Sequence, residues 1–194
     1  MKQALPLRIA GATLLCAAVV LSGCAEKTRY GDARGVETVT NQFGSTDLQM
    51  IAESMTRSML NTPIVTNGER PIMTVQEVKN KTSEYIDTRS ITDSIRVELQ
   101  KSGRVRFAVD AAAMDQQIEE LKRQQSDYYD NKKSAEIGKM VGAAYRIEGN
   151  ITSIVKEAKD VKDVYYKFSL QLWNVQSGLL EWADEKEIRK TTSR

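Results

Sequence analysis

The sequence predicts a mixed α/β (α+β) domain whose sheet is largely antiparallel, a carboxyl-terminal meander of three strands packed against about four helices. Three observations carry this expectation. Apolar and polar residues alternate through residues 145–154 and 164–174 and on into 179–189, with turn residues between the runs. Upstream, apolar residues recur at three- and four-residue spacing in several segments bounded by capping residues, Gly or Pro. The span from residue 45 to residue 194 is long enough for one domain with its own core.

Ser45-Thr46-Asp47 offers a helix N-cap, and Gln49 stands three residues after Thr46 as a capping box requires. Leu48, Ile51, Ala52, Met55 and Met59 then share a face, so residues 46–60 read as an amphipathic helix. Its methionines (Met50, Met55, Met59) read as core packing rather than as an adaptable binding face. Asn61-Thr62-Pro63 ends the helix and Asn67-Gly68 marks a turn. Residues 71–78 (PIMTVQEV) are apolar enough for a strand, followed by the polar loop Lys79-Asn80-Lys81-Thr82. Such loops at the carboxyl ends of strands commonly carry binding sites in α/β sheets; a solvated connection accounts for this one equally well.

A second helix is expected over 88–102, capped by Asp87 or Thr88, burying Ile91, Ile95 and Leu99, and stopped by Gly103. Residues 105–109 read as a short strand. A third helix runs from Ala111 through Met114, Ile118 and Leu121, and residues 124–133 (QQSDYYDNKK) as a loop. Ser134 caps an expected fourth helix, 135–141, ended by Gly142. Lys132 and Lys133 precede it, at the positive end of its dipole, where lysine does not favour a helix. That marks them as a partner-facing patch, set against the default of a solvated charge run. In the meander, 156–162 reads as a charged hairpin. Tyr166, Phe168, Leu170 and Leu172 share the buried face, with Tyr165, Lys167 and Gln171 outward and Trp173 interrupting the polar side. Gln176-Ser177-Gly178 turns the chain into the last strand.

The amino terminus carries Lys2 and Arg8, an uncharged run over 9–21, then Leu21-Ser22-Gly23-Cys24. This is the pattern of a secretory signal peptide, residues 1–23. The run is too short to span a bilayer, which takes ~20 apolar residues. The last four residues resemble the lipobox of bacterial lipoproteins, in which the Cys thiol, here Cys24, receives a diacylglycerol and the new amino group is acylated after cleavage. By the same resemblance Ala25 directs the chain to the outer membrane, periplasmic face, where an Asp would retain it at the inner membrane. Residues 24–44 are polar, Gly-containing and without apolar periodicity, a flexible tether of at most ~70 Å.

Composition narrows the function further. Removing residues 1–23 takes two of the 28 basic residues and none of the 26 acidic ones, leaving a formally neutral chain. Nothing electrostatic then points to nucleic acid. Cys16 leaves with the signal and Cys24 is acylated, so disulfides and thiol catalysis are excluded. The chain has no His, which removes the commonest general base, Ser-His triads and nearly all zinc sites. No cofactor and no metal are implied.

Four local features together resemble the LpoB family of outer-membrane lipoproteins, which activate bifunctional (class A) penicillin-binding proteins. They are the lipobox; PIMTVQEVKNKT; TRSITDSIRVELQKSGRVRFAV; and KKSAEIGKMVGAAYRIEGNI leading to FSLQLWNVQSGLLEWADE. The resemblance spans about residues 45–187. The related TolB amino-terminal and CsgG domains share the sheet and the Gly-Ala-Xaa-Tyr step. Unlike the long Pro-rich linker of well-known members, this tether has no Pro between Cys24 and Pro63. The resemblance implies a monomeric, non-catalytic activator that docks on the synthase's regulatory domain, with Lys79, Asn80, Lys81, Arg89, Lys132 and Lys133 as contacts. Two other classes compete. A CsgG-like secretion or envelope-assembly component needs membrane-spanning alternating strands, which the long charged stretches oppose. An envelope hydrolase needs a carboxylate pair such as Glu84 with Asp87, or Glu181 with Asp184; among 26 acids such pairs arise by chance.

Overall fold

A computed structural model describes residues 28–130 and 132–193. The chain divides into two compact units, residues 1–32 and 33–194. The expected signal peptide, Cys24 and the start of the tether lie outside the described residues; of the first unit, residues 28–32 have no regular secondary structure.

Helix α1 (Ser45–Leu60) is capped by its own aspartate, since the Gly44 N–H donates to Asp47 Oδ2 at 2.8 Å. The side chains expected as caps turn elsewhere: Thr46 Oγ1 accepts from the Glu37 N–H at 2.7 Å, and Gln49 Nε2 donates to the Ala33 carbonyl at 2.7 Å. Ile51, Ala52, Met55, Thr56 and Met59 form its buried stripe. Pro63 then opens one further turn, α2 (Pro63–Thr66), where a missing N–H costs nothing. Helix α3 (Thr88–Lys101) starts on Asp87, whose Oδ1 accepts from the N–H groups of Arg89 and Ser90. It buries Ile91, Ile95 and Leu99 and stops at Gly103, in a left-handed conformation (φ 69°). Helix α4 (Met114–Gln124) begins three residues later than the sequence suggests.

The expected fourth helix over 135–141 is absent; this segment is irregular. Gly138 sits in it at φ 82°, and Ile137, Met140 and Val141 are exposed. Seven residues broken by a glycine cannot offset helix nucleation without burying an apolar face. About four helices are present, but the fourth is the single turn at Pro63.

Strands β1 (Ile72–Val75), β2 (Lys79–Lys81), β3 (Arg106–Phe107), β4 (Tyr145–Ala158), β5 (Val161–Asn174) and β6 (Leu180–Ser193) form one sheet, in the order β3-β1-β4-β5-β6, with β2 also paired to β4. The short strands β1, β2 and β3 pair in parallel; the long β4, β5 and β6 form the antiparallel meander. The polar loop expected at 79–82 is therefore largely strand. The charged hairpin is also strand on both sides, with only Lys159-Asp160 between β4 and β5, because Glu157 faces Lys162 and Lys156 faces Asp163 across the ladder. Strand β5 buries Val164, Tyr166, Phe168, Leu170 and Leu172 on one face, as the alternation requires. These close a single core with Ile51, Met55 and Met59 of α1 and Ile91, Ile95 and Leu99 of α3.

One glycine is required inside the meander. A Cβ on Gly149 would lie 2.1 Å from the backbone oxygen of Ser169 on the neighbouring strand. The segment read as a flexible tether up to residue 44 is bonded to the domain from residue 33 onward, forming a strap. Its closure is a buried ion pair: Asp47 is 0% exposed, and Lys190 Nζ lies 2.5 Å from its Oδ2 and 2.7 Å from the Gln42 carbonyl.

Two stability outcomes are expected. Lys190→Met strands the buried Asp47 carboxylate and should cost about 3–5 kcal/mol in urea unfolding, most of it recovered by adding Asp47→Leu; a cost below about 1 kcal/mol would show the pair to be incidental. Gly149→Ala should cost about 1–3 kcal/mol by forcing β4 away from β5, read as a lowered thermal midpoint.

Candidate functional site

Strand β2 sets out the first group of candidate residues. It pairs with β4 as Lys79 with Asn150, Asn80 with Ile151 and Lys81 with Thr152. Alternation along the strand puts Lys79 and Lys81 on the outer face of the sheet, away from the core, and Asn80 on the other. All three residues are exposed. The two ammonium groups are thus carried by a laddered backbone rather than a free loop. Asn80 spends its side chain within the chain: Oδ1 accepts from the Thr82 N–H at 2.9 Å, and Nδ2 donates to the Glu84 carbonyl at 2.8 Å. It builds the turn that follows β2.

Arg89 lies close to this strand. Thr88 Oγ1 donates to the Val78 carbonyl at 2.8 Å, tying the first turn of α3 to the residue before β2. Arg89 lines a cleft of about 420 Å³ with Gln76, Tyr85, Arg96 and Asp110. Its guanidinium stands 3.7 Å from both Asp93 and Asp110, more than half exposed, and Arg96 makes the shorter 2.8 Å bond to Asp110. Burial pushes the Asp110 carboxyl up, but the Arg96 hydrogen bond, the Ala113 N–H and the two guanidinium charges hold it net below the usual carboxylate range. Lys79 and Lys81 thus stand on the outer face of the sheet, whereas Arg89 stands in the cleft on the helix side, beside Val78, the residue that precedes β2.

Lys132 and Lys133 stand apart from these residues. They occupy the exposed loop between α4 and β4, where Asp130 accepts from the Lys132 N–H at 3.1 Å and lies 3.8 Å from Lys133 Nζ. Ser134 Oγ closes this loop on the Gln124 carbonyl at 2.7 Å. Without the expected helix, the argument that they sit at its amino end no longer applies. Among the described residues no hydrogen bond or ion pair joins them to Lys79, Lys81 or Arg89.

The carboxylates weighed for hydrolysis are otherwise engaged. Asp87 caps α3. Glu84 accepts from the Phe43 N–H through Oε2 at 3.0 Å and from the Tyr166 hydroxyl through Oε1 at 2.5 Å. Burial, then this bond and the Glu84 charge, push the Tyr166 phenol far above its ordinary value, so it remains a donor. The Phe43 ring meets the Tyr166 ring edge-on at 5.8 Å. Glu181 is the extra residue of a bulge in β6, and Asp184 lies on the strand opposite Leu170. Glu84's role as a hub has no local signature, because its partners are 41 and 82 positions away.

The outer face of the meander is polar and internally paired. Tyr165 donates to Glu187 at 2.5 Å, Lys167 lies 3.5 Å from Glu185, and the Arg189 guanidinium stacks 5.7 Å from the Tyr165 ring centre. Lys79 and Lys81 extend this face at its β2 edge.

Several comparisons bear on this arrangement. Among solved structures, the chain is similar to the LpoB C-terminal domain from Escherichia coli, at 20% identity and a TM-score of 0.45, covering 73% of this chain and 98% of that one. The LpoB C-terminal domain from Salmonella enterica matches at 17% identity and a TM-score of 0.43, with 73% and 98% covered. A lipoprotein from Neisseria meningitidis matches at 12% identity and a TM-score of 0.40, with 62% and 83% covered. No curated protein sequence matches. The family described as peptidoglycan-synthase activator LpoB matches over residues 47–188, from the buried aspartate of α1 to the last core residue of β6. By that match over most of its length, the chain belongs to the LpoB family of peptidoglycan-synthase activators.

Proposed function

We propose that this protein is a non-catalytic lipoprotein that binds a bifunctional class A penicillin-binding protein and raises its activity, acting as a monomer from the periplasmic face of the outer membrane. The family match over residues 47–188 carries this reading. Lys79 and Lys81, exposed on the outer face of the sheet, supply its docking surface, with Arg89 on the helix side and Lys132 and Lys133 in their loop as further contacts. An activator of this kind works by binding the active conformation of the synthase more tightly than the inactive one, so the gain in activity is limited by that difference in affinity. Rigid presentation helps: ammonium groups on a laddered strand lose less freedom on docking than those on a loose loop.

Attachment is assigned to the lipid on Cys24. Among the described residues no helix is long and apolar enough to cross a membrane, while each buried acyl methylene contributes ~0.8 kcal/mol and more than one chain makes anchoring stable. With residues 33–43 seated as a strap, only residues 24–32 remain between the lipid and the domain. Nine residues reach at most ~30 Å. The domain therefore stays near the membrane, and the synthase's regulatory domain extends up to meet it.

The lysines can be tested in pairs. Lys79→Glu with Lys81→Glu, and separately Lys132→Glu with Lys133→Glu, change exposed side chains and should leave the thermal midpoint unaltered. Each pair should weaken binding to the purified synthase about tenfold or more, with the wild-type affinity itself falling as salt rises. Unchanged affinity in both double variants would remove these residues from the interface.

A further inference from the structure

Strand β2 has no buried side chain. Three exposed residues in a ladder depend on what holds their two ends: the Thr88 hydroxyl fixes the Val78 carbonyl before the strand, and the turn behind it fixes the other end. That turn ends on Glu84. The Glu84 carbonyl accepts from Asn80 Nδ2 at 2.8 Å and lies 3.1 Å from Thr82 Oγ1, which in turn donates to Asn80 Oδ1 at 2.8 Å. The carboxylate of the same residue faces the other way. One oxygen holds the Phe43 N–H of the strap, the other the hydroxyl of buried Tyr166. Hydrogen bonds to a charged acceptor are about twice as strong as neutral ones. The strap residues beside Phe43 are held by the same device: Lys190 bonds the Gln42 carbonyl, and the Tyr166 hydroxyl lies 3.3 Å from the Asn41 carbonyl.

We propose that Glu84 is a positioning residue through which the strap, residues 33–43, holds the docking strand, so that seating of the membrane-proximal segment sets the geometry of the partner-binding surface. The consequence for partner binding rests on the docking reading above; the coupling between strap and strand does not. When the strap is seated, the Glu84 carboxylate has two donors and its backbone is fixed, and the Asn80-Thr82 turn is fixed with it. When the strap lifts, one donor is lost, Glu84 swings on Tyr166 alone, and the turn behind Lys79 and Lys81 loosens. The strap is the part of the domain nearest in sequence to the lipidated cysteine, so strain on the tether reaches the docking strand through this residue first.

The test uses the full chain in detergent micelles, followed by backbone amide hydrogen exchange. Phe43→Ala removes the ring that seats the strap on Tyr166, and should speed exchange about tenfold both in residues 33–43 and across residues 79–85. It should also weaken binding to the synthase about fivefold. In an Asn80→Ala background, where the Asn80 side chain no longer ties the turn to Glu84 and only an exposed side chain is changed, adding Phe43→Ala should weaken binding less than it does in the wild-type chain. Glu84→Gln keeps an acceptor for Phe43 and a donor for the Tyr166 oxygen, and should restore near wild-type exchange that Glu84→Ala loses. Exchange across 79–85 that stays unchanged while 33–43 speeds up would overturn the coupling, as would additive losses in the double variant. If the wild-type chain binds no class A synthase, the docking reading falls, and the exchange result alone decides the coupling.

Discussion

A carboxylate cut off from water governs how this chain closes. Asp47 is fully buried at the point where the strap, the first helix and the last strand meet. An unpaired charge there would cost several kcal/mol, so folding has to bring Lys190 to it. That single requirement spans 143 positions of sequence. It draws the end of β6 against α1, and the same ammonium group holds the Gln42 carbonyl and so the strap. The aspartate also caps α1 by accepting the Gly44 N–H. Helix start, strand end and strap are therefore one cooperative joint, polar in a fold whose remaining cohesion is apolar.

The meander does the complementary work. Strand β5 lies centrally, with partners along its whole length on both sides, and its alternating side chains send one face into the core and the other to solvent. The inner face is committed to α1 and α3, and the outer face with its β2 margin is left exposed; it is the surface the proposed function offers to a partner. The charged pairs on that face lie exposed, each contributing little to stability. Their value is in presenting a defined pattern of charge, and Lys79 and Lys81 add the cations at its edge. Lys190 holds the Gln42 carbonyl and Glu84 the Phe43 N–H, so the same eleven residues that close the core also touch the residue on which the turn after β2 ends.

Much of this architecture was legible in the sequence, for identifiable reasons. The alternation of Tyr166, Phe168, Leu170 and Leu172 dictates a half-buried strand whatever surrounds it, and the order of three strands follows from the turns between them. Helix α3 announced itself at both ends, through Asp87 and Gly103. The failures share another cause. Residues 135–141 carry a helical spacing of Ile137, Met140 and Val141, but nothing in the structure covers that face, and Gly138 takes a left-handed backbone instead. The charged hairpin expected at 156–162 is present, with its strands running closer to the turn than the polar residues suggest because their charges face opposite charges across the ladder. The strap was unreadable because its partners lie far along the chain and are met largely by backbone: the Phe43 N–H by Glu84 and the Gln42 carbonyl by Lys190, with the Phe43 ring against Tyr166. Cationic residues of the candidate surface stood out as types, but only the register of β2 on β4 showed which of them point outward together.

The measurement that bears most directly on the central claim is polymerisation of lipid II by each purified class A synthase of the same organism, with and without the full chain. Faster polymerisation by one synthase, saturating with added protein, is the result expected of an activator that binds the active conformation. No change in rate and no binding with any of them would contradict it, leaving a member of this family with another role.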